Sequence, residues 1–273
     1  MQPKNTYWIY LMQQLINDFH ELEQHFFSLI SLHCLNHQTI TAFETGVLTA
    51  GLNPAFVTQT DKEFLNDLTH CRSYFTQKNV PWTIVIAEQT LIFSQQKRQF
   101  LHDYELTDTG IGMAFNLLSA PLQSLDNQVE FRVMNEDLDT WGVPLVHGFQ
   151  STTEINQVYT QRHNEALNKC KGIYHLSGFF AGEVVVSMTL TVKKHLARID
   201  DLATIPHFQK RGFASAMMTY ALRKALDLNV QTCFLEASSA GLNLYKRIGF
   251  QPLFTNHYYE IKNNCCPQSN DPD

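Results

Sequence analysis

Gln209-Lys210-Arg211-Gly212-Phe213-Ala214 is a short basic loop that opens straight into the helix-forming run 215–228. A glycine there lets a ligand come close to the backbone. The start of a helix presents N–H groups that have no intrahelical acceptor, at the positive end of the helix dipole. Such a convergence suits a phosphate or diphosphate. The segment Gln209 to Ser215 is therefore a candidate anion cradle: its amides supply donors, and Lys210 and Arg211 add charge. Taken alone, the basic pair would fit a solvated surface corner equally well.

The surroundings decide between those readings. Residues 197–205 read as a strand before the loop, Thr232-Cys233-Phe234-Leu235-Glu236-Ala237 reads as a buried strand after its helix, and a shorter helix over 240–248 ends at Gly249-Phe250. The helix after the loop places Ala214, Met218, Ala221, Ala225 and Leu228 on one stripe, with Phe213, Met217 and Tyr220 beside it. That periodicity makes those side chains core and leaves only the first turn for function. Strand, basic glycine loop, helix, strand, then Tyr245-Lys246-Arg247-Ile248-Gly249-Phe250, resembles the GNAT superfamily of N-acetyltransferases, whose signature Q/R-x-x-G-x-G/A is followed by a Y-x-x-x-G-F-like end. The resemblance spans roughly 129–261.

That resemblance implies acetyl-CoA as co-substrate and direct transfer to an amine in a ternary complex. The pantetheine arm would lie like an extra strand against Leu202, Ala203 and Thr204, held by backbone groups. The diphosphate would fall on Gln209, Lys210, Arg211, Gly212, Phe213, Ala214 and Ser215. Tyr245 matches the family tyrosine that serves as acid to the leaving sulfur. Ser238 and Gly241 stand where the family often has Asn and Ala, and Ser238 is carried as a cofactor contact.

The base is less determined. Deprotonating a lysine-type amine at neutral pH costs about 4.6 kcal/mol and an α-amine about 1 kcal/mol, so the need for a base depends on the acceptor. Glu236, at the C-terminal end of its strand, is the first candidate, followed by Asp200, Asp201 and His175. Arg198 stands where better-known members carry a glutamate base, and a structural hydrogen-bonding role for Glu236 is an equal alternative.

With 44% apolar and 17% charged residues, the 273-residue chain can bury a core throughout, as two domains. A net charge of −6 argues against a general nucleic-acid binder. The opening residues do not read as a leader, and no apolar run approaches the ~18 residues of a membrane span, so a cytoplasmic protein without a membrane partner is expected. Six cysteines without C-x-x-C spacing read as reduced thiols, Cys233 among them as a small core residue. None of the twelve histidines sits in an H-E-x-x-H or finger pattern, so no metal is expected.

In the first half, helical periodicity over 7–35 is followed by strands at 40–46 and 55–58, a helix over 61–77, a strand at 82–87, a helix over 94–105 and a strand at 112–117. At an offset of about 150 this order overlies the second half: 62–78 against 212–228, and 82–87 against 232–237. At that offset Gln59-Thr60-Asp61-Lys62-Glu63-Phe64 faces the anion loop without its glycine. The reading is an α/β tandem GNAT-like fold, each half a mixed, mostly antiparallel sheet flanked by helices. Residues 1–125 would be a degenerate, non-catalytic relative that walls the substrate pocket, 126–263 the catalytic domain, and 264–273 a flexible tail. An unrelated α/β module in accidental register is the alternative for the first half.

The expected function is N-acetyl transfer from acetyl-CoA to an amine-bearing small molecule or peptide. The alternatives are an acyl-CoA sensor without turnover, or a transferase of another acyl group.

Overall fold

A computed structural model describes residues 3–90, 94–119 and 128–262 of the chain. The expected domain boundary at 125–126 and the tail 264–273 lie outside these. The described chain opens with helix α1 (Pro3–Ile30), whose second half buries Phe19, Leu22, Phe26, Phe27 and Ile30. Next come β1 (His33–Asn36), β2 (Ile40–Glu44), β3 (Pro54–Val57), α2 (Phe64–Lys78), β4 (Thr83–Ala87), α3 (Ser94–Asp103) and β5 (Tyr104–Asn116). The second half contains β6 (Glu130–Val133), α4 (Leu138–Gly148), α5 (Thr153–Lys169), β7 (Ile173–Phe180), β8 (Glu183–Lys193) and β9 (Leu196–Thr204). It ends with α6 (Phe213–Asp227), β10 (Thr232–Ala237), α7 (Leu242–Ile248) and β11 (Gln251–Ile261).

All strands join one sheet, in the order β1-β2-β3-β4-β11-β5-β10-β9-β8-β7-β6. Only β3–β4 and β9–β10 are parallel, each pair bridged by one helix, α2 or α6. The halves trade their last strands. β5, from the first half, pairs with β10, while β11, from the second, inserts between β4 and β5.

Side-chain alternation then sorts β10 between two layers. Cys233, Leu235 and Ala237 pack with Met217, Met218, Ala221 and Leu222 of α6. Phe234 packs on the other face with Phe19 and Leu22 of α1. Glu236, two residues on, therefore points to the α1 layer. α6 buries Phe213, Met217, Met218, Ala221, Leu222 and Ala225, close to the stripe that periodicity predicts, with Ala214 and Leu228 only partly covered.

Differences from the sequence reading fall where partners are distant. β5 is thirteen residues long, not the six expected. Its first part, with Glu105, Leu106, Thr107, Asp108 and Thr109 exposed, shows no apolar pattern and becomes a strand by pairing with β11, more than 140 residues away. β1 and β11 were not expected at all. α4 runs to Gly148 with Pro144 inside it, and Trp141 is fully buried with its indole N–H donating to the Met188 carbonyl at 3.0 Å.

Candidate active site

The anion loop is built as its residues suggest. Gly212 is the residue preceding α6, at φ +90°, a left-handed conformation that glycine adopts without strain. No atom lies within 4 Å of where a Cβ would project, so the space in front of it is open. No side chain caps α6, and its first internal bond is from Ala216 N–H to the Gly212 carbonyl at 3.0 Å. The amides of Gly212, Phe213, Ala214 and Ser215 are thereby the unpaired donors of the first turn. Gln209, Lys210 and Arg211 are exposed. The Arg211 guanidinium sits 5.0 Å from the Phe180 ring centroid and 5.2 Å from those of Phe208 and Phe213, which fixes a positive charge beside the helix start. Gln209 donates its side-chain N–H to the Thr204 carbonyl at 3.1 Å, tying the loop to the end of β9.

At an offset of 150 Lys62 stands where the second half has Gly212. Before α2, the Asp61 carboxylate accepts the Glu63 N–H at 2.8 Å and bonds from the Gln38 and Gln59 amides at 2.9 and 3.3 Å. No side chain caps α2 itself.

β9 and β10 pair from Leu196↔Thr232 to Ile199↔Leu235 and then separate, while β9 continues to Thr204 beside β8 alone. A register shift opposite Ser187 and Thr189 puts Asp201 at φ +60° and re-aims the side chains around it. Leu202, Ala203 and Thr204 follow this bulge on the side of β9 that has lost β10. Ala203 is buried, its Cβ packed against Gly148, whereas Leu202 and Thr204 are partly exposed.

A cavity of about 260 Å³ occupies the splay. Tyr245, Glu236, Ser238, Asp200, Asp201 and Leu202 all line it, so residues scattered over forty positions meet there. The first half contributes Glu23 and Phe27 of α1 with Pro54, Phe56 and Val85 of its sheet. A second, more apolar cavity of about 560 Å³ adjoins it, sharing Gly51, Phe149 and Asp201.

Tyr245 is nearly buried, and among the described residues its hydroxyl has no hydrogen-bond partner. Burial, then the nearby Asp200, pushes the phenol up to about 12, so it stays protonated across the neutral range. Ser238 is exposed, its carbonyl accepting the amides of Gly241 and Leu242 at the start of α7.

The floor of the cavity is a buried ionic cluster. Arg198 donates to Asp200 at 2.9 and 3.1 Å and approaches Glu23 at 3.5 Å. Burial works against the guanidinium charge, and the carboxylates of Asp200, Glu23 and Glu236 more than offset it. One arginine does not balance all these acids, and the surplus shows in the acids. Asp200 is raised by burial in spite of Arg198; Asp201 is raised to about 7 by burial and then Asp200. Glu236 is raised by burial and then Glu23, while hydrogen bonds from Tyr258 and Asn256 work the other way. Asn256 donates to it at 2.5 Å and the Tyr258 hydroxyl closes on its other oxygen.

One candidate base separates from the site. His175 is fully buried behind β9, its Nε2 2.8 Å from His163 Nδ1 and its Nδ1 3.1 Å from Asn135, and burial pushes it down to about 3. It does not line the cavity. Cys233 is a core thiol, fully buried and raised by that burial. Conversely, Glu23, Asn256 and Tyr258 were not anticipated. Glu23 shows in the sequence only as an acid inside an apolar period, and the other two lie in a segment whose partners are all remote.

Residues 144–250 match the family model of the acetyltransferase (GNAT) family. No curated protein sequence matches the chain. Among solved structures, a GCN5-related N-acetyltransferase from Kribbella flavida aligns with a TM-score of 0.64 and 12% identity over 86% of this chain and 91% of that one. One from Sphaerobacter thermophilus gives 0.58 and 16% over 82% and 76%. A tandem GNAT protein from the clavulanic acid biosynthesis pathway gives 0.55 and 10% over 82% and 78%. At such identities the likeness is one of fold, and it extends well beyond the matched segment. The chain thus has the GNAT fold, and its residues 144–250 are similar to the acetyltransferase (GNAT) family.

Proposed function

We propose that the protein transfers an acetyl group from acetyl-CoA to an amine in the cavity between β9 and β10. The observation that supports this most directly is the unpartnered Tyr245 hydroxyl facing the same cavity as Glu236, with an open helix N-terminus on the loop that follows β9. The ring is nearly buried, yet its hydroxyl is not among the sealed unpartnered atoms, so it keeps access to the cavity and can bond a ligand there.

Gly212 to Ser215 would hold the diphosphate by their amides, helped by Lys210, Arg211 and Gln209. The side of β9 that has no β10 partner, at Leu202, Ala203 and Thr204, would hold the extended arm by backbone bonds, and Ser238 would flank it. The coenzyme supplies a thioester, at whose carbonyl carbon the amine forms a C–N bond as the C–S bond breaks. Glu236 takes the proton that the amine nitrogen loses; its raised affinity for a proton suits a base working near neutrality. Each of its oxygens keeps a lone pair beyond the bonds from Asn256 and Tyr258.

Tyr245 donates a hydrogen bond to the departing sulfur. Complete proton transfer from a phenol near 12 to a thiolate whose thiol titrates near ~8.5 is uphill by about 5 kcal/mol, so the sulfur takes its proton from water on release.

The first half, in this reading, is a degenerate relative of the second that no longer binds coenzyme, because Lys62 stands at an offset of 150 where the second half has Gly212. Its remaining role is to wall the cavity through Glu23, Phe27, Phe56 and Val85. The acceptor enters from the larger apolar cavity lined by Leu52, Leu145, Phe149 and Ile155, which favours an amine with an apolar body. The free thiols Cys34, Cys71, Cys170 and Cys233 suit a reducing compartment such as the cytoplasm.

The test is CoA release across a library of amines, with calorimetry of CoA alone. CoA binding without turnover on any amine would point to a sensor, and absence of CoA binding would sink the proposal.

A further inference from the structure

His37 lies in the turn between β1 and β2, and Asp67 and His70 are one helical turn apart on α2, so the latter two share a face. The fold brings all three together: their ligand atoms lie within 4.8 Å of one another. Asp67 is 6% exposed, and its carboxylate is used on one side only. Oδ2 accepts both the Thr39 N–H at 2.8 Å and the Thr39 hydroxyl at 2.7 Å, while Oδ1 has no hydrogen bond among the described residues. No lysine or arginine among the described residues forms an ion pair with it. A buried carboxylate held rigidly, with one oxygen left over and two imidazoles beside it, has the donors of a metal centre.

We propose that His37, Asp67 and His70 bind a divalent first-row metal ion, with Zn²⁺ the best fit, and that the ion fastens the β1–β2 hairpin to α2. Two imidazoles and one carboxylate are a borderline ligand set that suits zinc over calcium or magnesium, which prefer all-oxygen shells. Three protein ligands leave a fourth position for water. Tetrahedral zinc needs its ligand atoms about 3.3 Å apart at the usual bond lengths of about 2.0–2.2 Å. The required closure is small and falls on the movable partners, since His70 is exposed and His37 half-buried while Asp67 is anchored. The two rings already lie 5.7 Å apart, tilted by 30°.

The location gives the ion a role. β1 is the outermost strand, paired only with β2, and its side chains are mostly exposed. β2 is buried and paired on both sides, so the exposed β1 is the part of the hairpin that a cross-link from its turn to α2 would support. This site lies outside the cavity of the proposed transfer and shares none of its residues.

The full chain, without a polyhistidine tag and stripped with a chelator, is titrated with Zn²⁺ by calorimetry and with Co²⁺ by visible absorption. Expected are one equivalent bound, a four-coordinate cobalt spectrum, and a melting temperature that rises with added Zn²⁺. His70→Ala and His37→Ala, both outside the core, should keep the metal-free melting temperature. Each should lose more than the 10–100-fold in affinity that removal of an outer-shell partner typically costs. Absence of saturable binding by the parent protein overturns the proposal. So does equal Zn²⁺ affinity in the parent and both variants, which would place the ion elsewhere and leave Asp67 only as the anchor of Thr39.

Discussion

Glu236 on β10 and Tyr258 on β11 are joined by a hydrogen bond that passes over strand β5, and the bare backbone of Gly110 is what lets them meet. β5 separates the two strands, and a Cβ at Gly110 would coincide with the Glu236 carboxyl. Asn256, which pairs with Gly110 on β11, donates to the other oxygen. Strand exchange between the halves therefore has a chemical consequence. The partners that orient the candidate base come from the very last strand, delivered into the first half of the sheet.

Gly110→Ala should expel the Glu236 side chain from this position. Overpacking of this kind typically costs about 1–3 kcal/mol of stability. The more telling readout is turnover, which should fall at unchanged CoA affinity, since Gly110 meets Glu236 and is not part of the anion loop. Retained kcat in a folded variant would show that the orientation of Glu236 is immaterial to the reaction.

Tyr245→Phe removes a hydroxyl that no protein group uses, so stability should change by less than about 1 kcal/mol. The loss should appear in kcat, by about 10²–10⁴-fold, with CoA binding preserved. Steady-state kinetics and calorimetry on the same preparation separate the two quantities. An unchanged kcat would remove Tyr245 from the chemistry.

Gly212→Glu places a carboxylate, on a strained left-handed backbone, where the cradle would receive a diphosphate. CoA affinity should drop by more than 10-fold while the melting temperature falls only by the few degrees that about 1–2 kcal/mol of backbone strain implies. Wild-type affinity in this variant would mean that α6 does not face the coenzyme.

Asp201→Asn tests the charge carried by the bulge. Folding raises this carboxyl from an ordinary 3.8 to about 7, chiefly through burial, so the native state holds the proton more tightly than the unfolded chain. The associated stability is complete below about pH 4, declines as pH rises through 7, and is gone above it. Asparagine does not titrate, tolerates the same backbone conformation, and keeps one oxygen for Tyr159 or Thr189. Unfolding free energies of parent and variant should therefore diverge in the variant's favour between pH 4 and pH 8, by a few kcal/mol at the upper end. Parallel pH profiles would show that Asp201 is ionised throughout.

Local chemistry was legible in the chain wherever neighbours in sequence are also neighbours in space. The glycine loop running into α6, the apolar stripe of that helix, the buried strand 232–237 and the tyrosine of α7 all lie within some forty residues, and periodicity with loop composition sufficed to order them. Tyr245, Glu236, Ser238 and Leu202 lining one cavity follows from that order, because parallel strands that part around a bulge open a crevice at their ends. Lys62 in the place of Gly212's counterpart likewise shows in the sequence that the first half lacks the glycine of the loop.

Only the tertiary structure decided what surrounds those residues. β5 and β11 carry no apolar alternation strong enough to announce them, since each becomes a strand by pairing with the other from opposite ends of the chain. Glu23 reaches Arg198 from the first helix, Tyr258 reaches Glu236 from the last strand, and His37 meets His70 across a hairpin turn. Hydropathy and spacing report what a residue needs from its immediate neighbours. The proton affinity of a buried acid, or the ligand set of an ion, depends on charges brought close by burial, and their partners' distances along the chain leave no periodic trace.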